Sequence, residues 1–226
     1  MPFMFCKHGK ENSCKILETI FYFRVDLKNN EIKIQIMEEK VNKTELYHEK
    51  QRLQYCAVHA INNLFQNADA CSKATLDEIC YNLNPSRWLN PHRSMLGLGN
   101  YDINVITMFL QSREHEVVWF DKRRPAEDIK LEEVFGFLLN DISKQSLFGK
   151  TFSLSSSFKH WYIIREFNND CYFNLDSKLQ KPLEIGDDKL LIEYLNTRLI
   201  QKECQLLLVV KTGRSGEDVY INKDAG

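Results

Sequence analysis

Between residues 46 and 66 the chain runs LYHEKQRLQYCAVHAINNLFQ, and no other stretch restricts its fold as much. From Tyr55 onward the apolar residues Ala57, Ala60, Ile61, Leu64 and Phe65 recur at i, i+3, i+4, i+7 and i+8, which predicts one buried face of an amphipathic helix. Cys56 then falls in the first turn. A thiol is mostly protonated at neutral pH, so a cysteine nucleophile needs surroundings that favour the thiolate. Unpaired backbone N–H groups and the positive end of the helix macrodipole supply one such influence. A lone cysteine in an amphipathic helix is more often a small buried hydrophobe. Its role therefore turns on what the rest of the chain brings to it.

About a hundred residues later stands KHWYIIREFNNDCYFNLDSKL, which reads as two short strands, HWYIIRE and CYFNLDS, joined around Asn168, Asn169 and Asp170. His160 and Asp176 each lie eight residues from Asn168, so an odd-length loop centred there sets them opposite each other on one face. A two-residue turn would move Asp176 to the other face. A carboxylate opposite an imidazole fixes its tautomer and stabilises its charged form, which is the orienting role in a catalytic triad. His59 shares the helix of Cys56, but a helical i, i+3 pair leaves little room for a substrate carbonyl, so His59 is expected to be structural.

These segments carry a family likeness. HEKQ, then Cys56 with AxHAxNNLFQ, then HW with NLDSKL, resembles the Josephin family of ubiquitin-specific cysteine proteases, and the small stand-alone members in particular. PHRSMLGLGNYDINVI from Pro91 to Ile106, VWFDKRR from Val118 to Arg124 and CQLLLVV from Cys204 to Val210 extend the match over residues 46 to 211. The resemblance implies Cys56 as nucleophile, His160 as general base and then acid, Asp176 as the residue orienting His160, and Gln51 as an oxyanion donor. A neutral amide suits that last task, because it can face a developing charge without competing for the imidazole proton. The backbone N–H of Cys56 is the second donor.

The implied substrate is the bond after the C-terminal Gly-Gly of ubiquitin, whose tail must thread a narrow cleft. Gly97, Gly99, Asn100, Tyr101 and Ile103 occupy the matching segment and are assigned to tail or ubiquitin-surface contact. An equally weighted reading makes this segment a helix start with Ile103 and Ile106 in the core. A helical arm is expected at about Thr75 to Asn100. The implied function is a deubiquitinating thiol hydrolase acting through a Cys-His-Asp triad and a thioester, with a ubiquitin-binding module of weak turnover as the alternative. No cofactor and no metal are required. Ubiquitin, ubiquitinated proteins or ubiquitin chains are the partners, and the enzyme is expected to be monomeric.

Composition sets limits around this reading. A chain of 226 residues, 43% hydrophobic and 12% aromatic, suffices for a substantial core, and a net charge of −1 gives no pull toward nucleic acid. No apolar run reaches the roughly 18 residues of a membrane-spanning helix. The N-terminal MPFMFCKHGKENSCK lacks a secretory pattern, and seven cysteines without secretion cues suggest reduced thiols in the cytosol. A cytoplasmic location follows, compatible with peripheral membrane association or nuclear presence. Cys6, His8 and Cys14 cluster, yet no second ligand pair at zinc spacing follows them.

The element order predicts an α+β papain-like domain, with the nucleophile helix packed on a mostly antiparallel sheet. Residues 1–45 form an extension of unassigned role, with ETIFYFRVDL and EIKIQIM alternating as a hairpin. Residues 46–211 form the catalytic domain. Leu46 to about Leu110 reads as helical, broken at Asn84 to Asn100, with Leu76, Ile79, Cys80 and Leu83 as an apolar stripe. A strand at Glu116 to Phe120, a helix from about Ala126 to Ser143, the hairpin, a helix near Asp188 to Leu199 and a strand at Gln205 to Val210 complete it. Residues 212–226 read as a flexible tail.

Overall fold

The computed structural model describes residues 19–28, 31–40, 45–86, 90–93, 99–142, 146–147, 150–151, 159–168, 171–213 and 217–222. Gly97, Cys6, His8 and Cys14 lie outside them. The chain divides into two units, residues 1–45 and 46–226. In the first, β1 (Thr19–Lys28) and β2 (Glu31–Lys40) pair antiparallel, from Lys28 opposite Glu31 to Thr19 opposite Lys40. This is the hairpin that the alternating apolar residues predict.

In the second unit the helices come first: α1 (Cys56–Phe65), α2 (Lys73–Leu83) and α3 (Ile103–Gln111). The strands follow: β3 (His115–Trp119), β4 (Gly136–Ile142), the two-residue pair β5 (Ser146–Leu147) and β6 (Lys150–Thr151), β7 (Lys159–Glu166), β8 (Tyr172–Asn174) and β9 (Leu183–Gly186). Then come α4 (Asp188–Leu199), β10 (Gln205–Lys211) and the single turn α5 (Glu217–Tyr220). Six strands form one antiparallel sheet in the order β3-β10-β4-β7-β8-β9.

Side chains alternate across a strand, so the central strands feed two cores at once. Leu138, Trp161, Ile163, Leu207 and Val209 pack with α1, α2 and α3, while Phe137, Leu139, Tyr162, Ile164, Leu206, Leu208 and Val210 pack with α4 and the chain end. This two-sided burial explains one departure from expectation. The segment 126–142 is not a helix but two 3₁₀ turns, Ala126–Asp128 and Leu131–Glu133, followed by β4. A strand covered on both faces shows an unbroken apolar run, and periodicity cannot tell such a run from a buried helix.

Two further segments differ from their sequence reading. Residues 45–55 are irregular rather than helical, because their amides bond outward: Tyr47 N–H donates to Gln66 Oε1 at 2.9 Å and Glu49 N–H to Asn63 Oδ1 at 2.7 Å. The expected tail is anchored near its end, where Tyr220 and Ile221 are buried and Asn222 N–H donates to Asp128 O at 2.8 Å. Within α2 the stripe is partly as expected. Leu76 and Cys80 are fully buried, whereas Leu83 is exposed.

Candidate active site

Cys56 is the first residue of α1, buried, and Tyr55 before it offers the helix no side-chain cap. The other three helices of comparable length are capped, by Ser72, Asp102 and Asp187. Among the described residues, the amides of the first turn of α1 are thus left without a side-chain cap, at the one helix start that carries a cysteine.

His160 approaches from β7. It is buried, its Nε2 lies 2.6 Å from Asp176 Oδ1, and the Cys56 side chain is near enough to act on its charge. Since Nε2 is held by the carboxylate, Nδ1 is the nitrogen that serves the sulfur. Burial works against the imidazolium, yet the hydrogen bonds and charges of Asp176 and Cys56 outweigh it and hold the His160 pKa above its ordinary value. For Asp176, burial pushes upward, while His160 and the Lys178 backbone N–H, 2.8 Å from Oδ1, bring the carboxyl net below the usual range. The pair is therefore biased toward imidazolium and carboxylate.

The register that makes this pair differs by one position from the simple expectation. Ile164 faces Asn174 and Glu166 faces Tyr172, so the hairpin centres on position 169 rather than 168. Strict pairing would leave Asp176 opposite Tyr162. The strand instead ends at Asn174, Leu175 N–H makes a last bond to Ile163 O at 2.8 Å, and the chain bends to bring Asp176 to His160. Asn174 Oδ1 accepts the Asp176 N–H at 2.9 Å and fixes that bend.

Gln51 belongs to the loop entering α1. Its backbone N–H donates to Ser177 O at 2.7 Å, next to Asp176, and its Nε2 donates to Leu53 O at 2.9 Å. The loop is held from below by His59, whose Nε2 accepts the Arg52 N–H at 3.0 Å and whose Nδ1 lies 3.1 Å from Glu49 Oε1. His59 is thus buried and holds this loop to α1.

The segment assigned to ubiquitin contact divides. Gly99, at φ +101°, bridges in parallel to Gln54, and a Cβ there would collide with Gln54 O and meet the Tyr55 ring at 2.8 Å. Asn100, also at positive φ, donates its N–H to Gln54 O at 3.0 Å. Both therefore lie against the entry to α1. Tyr101 does not present its ring outward. It is 1% exposed, its hydroxyl donates to Asp77 Oδ1 at 3.0 Å, and its carbonyl accepts the Trp161 Nε1–H at 2.9 Å. A large ring beside a polar partner is better satisfied in the core, so Tyr101 is a pillar under His160's neighbour. Ile103 is partly buried against the same core.

Sequence reasoning missed Asn62, Asn63 and His48. Asn63 stands seven residues after Cys56 and three after Ala60, on the buried face, where a polar side chain requires partners. That was the available signal. Among the described residues no group of three metal-ligating side chains occurs, and no helix is long and apolar enough to cross a membrane.

Comparison with known proteins gives one family. A family model described as Josephin matches residues 51–211. A Josephin-like protein of Drosophila melanogaster is 46% identical over 165 residues, covering 73% of each chain. Josephin-2 of Mus musculus is 44% identical over 176 residues, covering 78% of this chain and 92% of its own length. Josephin-2 of Homo sapiens is 46% identical over 165 residues, covering 73% and 86%.

Proposed function

The chain belongs to the Josephin family of ubiquitin-related cysteine proteases, with an α+β papain-like fold, and we propose that it is a deubiquitinating enzyme using Cys56, His160 and Asp176. The observation that carries this reading is the contact of one imidazole with both the helix-start thiol and a buried carboxylate.

The chemistry is acyl transfer. His160 Nδ1 takes the Cys56 proton, and the thiolate attacks the carbonyl of the C-terminal glycine of ubiquitin. The developing oxyanion is met by the Cys56 N–H and by the second N–H of the Gln51 amide, the first being engaged by Leu53 O. Imidazolium His160 then gives its proton to the leaving lysine amine, and ubiquitin remains as a thioester on Cys56. Water, deprotonated by the same imidazole, releases it and regenerates the thiol. Asp176 holds the ring and its charge throughout.

Labelling with ubiquitin that carries a C-terminal electrophile tests the reading. An adduct located by mass spectrometry on Cys56, absent in Cys56→Ala and slow in His160→Ala, is the expected result. Binding of ubiquitin with no adduct on folded protein would replace it with the binding-module alternative. An adduct with a ubiquitin-like modifier alone would change the substrate. The same labelling of a chain lacking residues 1–45 reports whether the hairpin unit restrains the site.

A further inference from the structure

We infer that Asn63 is a positioning residue of this site, one that locks the Gln51 loop and the Asp176 loop to the helix of the nucleophile; the inference rests on the proposed hydrolase reading. Neither loop is placed by regular structure. Residues 45–52 form no helix or strand, and Asp176 follows the end of β8. Each must still be held to within a fraction of an ångström of Cys56 for a triad and an oxyanion site to work together.

Asn63 reaches both. It is 0% exposed, its Oδ1 accepts the Glu49 N–H at 2.7 Å, and its Nδ2 donates to Leu175 O at 2.8 Å. Glu49 is two residues from Gln51, and Leu175 is the residue before Asp176. One amide therefore ties two loops, 126 residues apart in the chain, to the rigid element that carries Cys56. It stands on the same side of α1 as Cys56, about 10 Å along the axis. Further bonds close the same seam: His48 Nε2 donates to Asp176 O at 2.9 Å, and Gln51 N–H to Ser177 O at 2.7 Å. Asparagine is suited to this place because it offers an acceptor and a donor from one planar group. Aspartate would lose the donor, and an aliphatic residue both.

Asn62 supplies the contrast. It is 2% exposed and makes three bonds, to Glu49 Oε2 at 2.8 Å, Ala68 O at 3.1 Å and Cys71 N at 2.8 Å. None of them reaches residues 175–177. If burial and bond count alone mattered, Asn62, with three side-chain bonds against two, would matter at least as much as Asn63.

The test compares Asn63→Ala with Asn62→Ala. Both should lower Tm. Only Asn63→Ala should lower kcat, by about 10²-fold, with KM for a fluorogenic ubiquitin substrate changed by no more than about twofold. It should also slow alkylation of Cys56 by iodoacetamide and remove the NMR signal of the hydrogen-bonded His160 Nε2 proton. In an Asp176→Ala background it should add no more than about a further twofold loss. Equal kcat in the two folded variants, or unchanged alkylation and proton signal in Asn63→Ala, would overturn the inference. Alkylation and the proton signal do not depend on the substrate. A wild type that fails to cleave ubiquitin, with these two readouts still changed by Asn63→Ala, removes the proposed function and leaves the positioning role. Should the alanine variant not fold, Asn63→Ser carries the same readouts.

Discussion

Helix α1 starts at Cys56 with no side chain over its first turn, whereas α2 starts under the Ser72 hydroxyl and carries Cys80 two turns further in. Both cysteines are buried, at 4% and 0% exposure, and both belong to the same core. Around Cys80 there is no imidazole bond; its sulfur faces His92 O at 3.8 Å, and burial pushes its thiol up to about 11. Cys71, just before α2, is pushed up to about 12 by the same cause. Desolvation alone makes a thiol inert, because it penalises the thiolate. Cys56 differs in position rather than in burial: it opens a helix that no side chain caps, and it lies near enough to His160 to act on its charge. The comparison teaches that two equally buried cysteines of one core are told apart by where the helix begins and which strand passes beside it.

The strongest way to break that contrast is to remove each thiol by substitution with alanine. Cys56→Ala should reduce turnover of a ubiquitin substrate on the order of 10⁴-fold or more, at a stability cost of about 1–2 kcal/mol. Cys80→Ala should lose a similar amount, about 1–2 kcal/mol, to a small cavity while retaining kcat. Steady-state kinetics and thermal denaturation of both variants decide it. Turnover surviving in Cys56→Ala would move the nucleophile elsewhere.

The next largest effect concerns the imidazole that distinguishes the two sites. Asp176→Ala should cost about 10²-fold in kcat and Asp176→Asn about tenfold, since an amide oxygen still accepts the Nε2–H. The same variants carry a pH signature. The folded His160 pKa is raised, so its contribution to stability is complete below the unfolded value of about 6.5 and is lost as pH rises through the folded value. The folded Asp176 pKa is lowered, so its contribution is complete above about 4 and is lost as pH falls through the folded value. The stability penalty of Asp176→Ala should therefore be greatest between about pH 4 and 6.5 and shrink on either side. Urea midpoints measured across that range check it; a flat penalty would mean that the carboxylate packs but does not pair.

How much of this was legible in the chain follows from what each segment interacts with. The α1 stripe and the His160 hairpin depend on local periodicity and turn chemistry, and both are present in the structure. The meeting of His160 with Asp176 was legible as a pair but not as a register, because the strand leaves the ladder at Asn174 for a bond that only the folded chain supplies. β4 was misread because α1 covers one of its faces and α4 packs over the other, erasing the alternation that marks a strand. The burial of Tyr101 was not legible, because nothing local tells a ring facing substrate from one whose hydroxyl finds Asp77 twenty-four residues upstream. Tyr220 and Ile221 were lost in a polar tail. Two apolar residues are too few to show a period, yet they complete the core on the α4 face.

A smaller perturbation separates the α1 entry from the remainder of the chain. Gly99→Ala would drive a Cβ into Gln54 O and the Tyr55 ring at a φ of +101°, pushing on the residues that lead into Cys56. Gly213→Ala meets nothing within 4 Å at a φ of +91°. The first should cost about 3 kcal/mol, summing overpacking and left-handed strain, and lower kcat as well. The second should cost only the strain, about 1–2 kcal/mol, with kcat unchanged. Equal stability losses and equal activities would mean that the 54–99 contact does not position the nucleophile.

The smallest effect is expected at Leu53, three residues before Cys56, which is 64% exposed and held at a φ of +51°. A leucine pays about 1–2 kcal/mol for that backbone region, and glycine does not. The carbonyl of Leu53, which accepts the Gln51 Nε2–H, survives the change. Leu53→Gly should therefore gain about 0.5–1 kcal/mol after the glycine's extra unfolded-chain entropy, raising Tm by about 2 °C. Strain and exposed apolar area together at the mouth of a site are the combination expected where a side chain is kept for contact with another molecule. KM for the ubiquitin substrate should accordingly rise a few-fold while kcat holds. A gain in stability with KM unchanged would make Leu53 a strained surface residue and nothing more, and would confine substrate contact to the other side of α1's first turn.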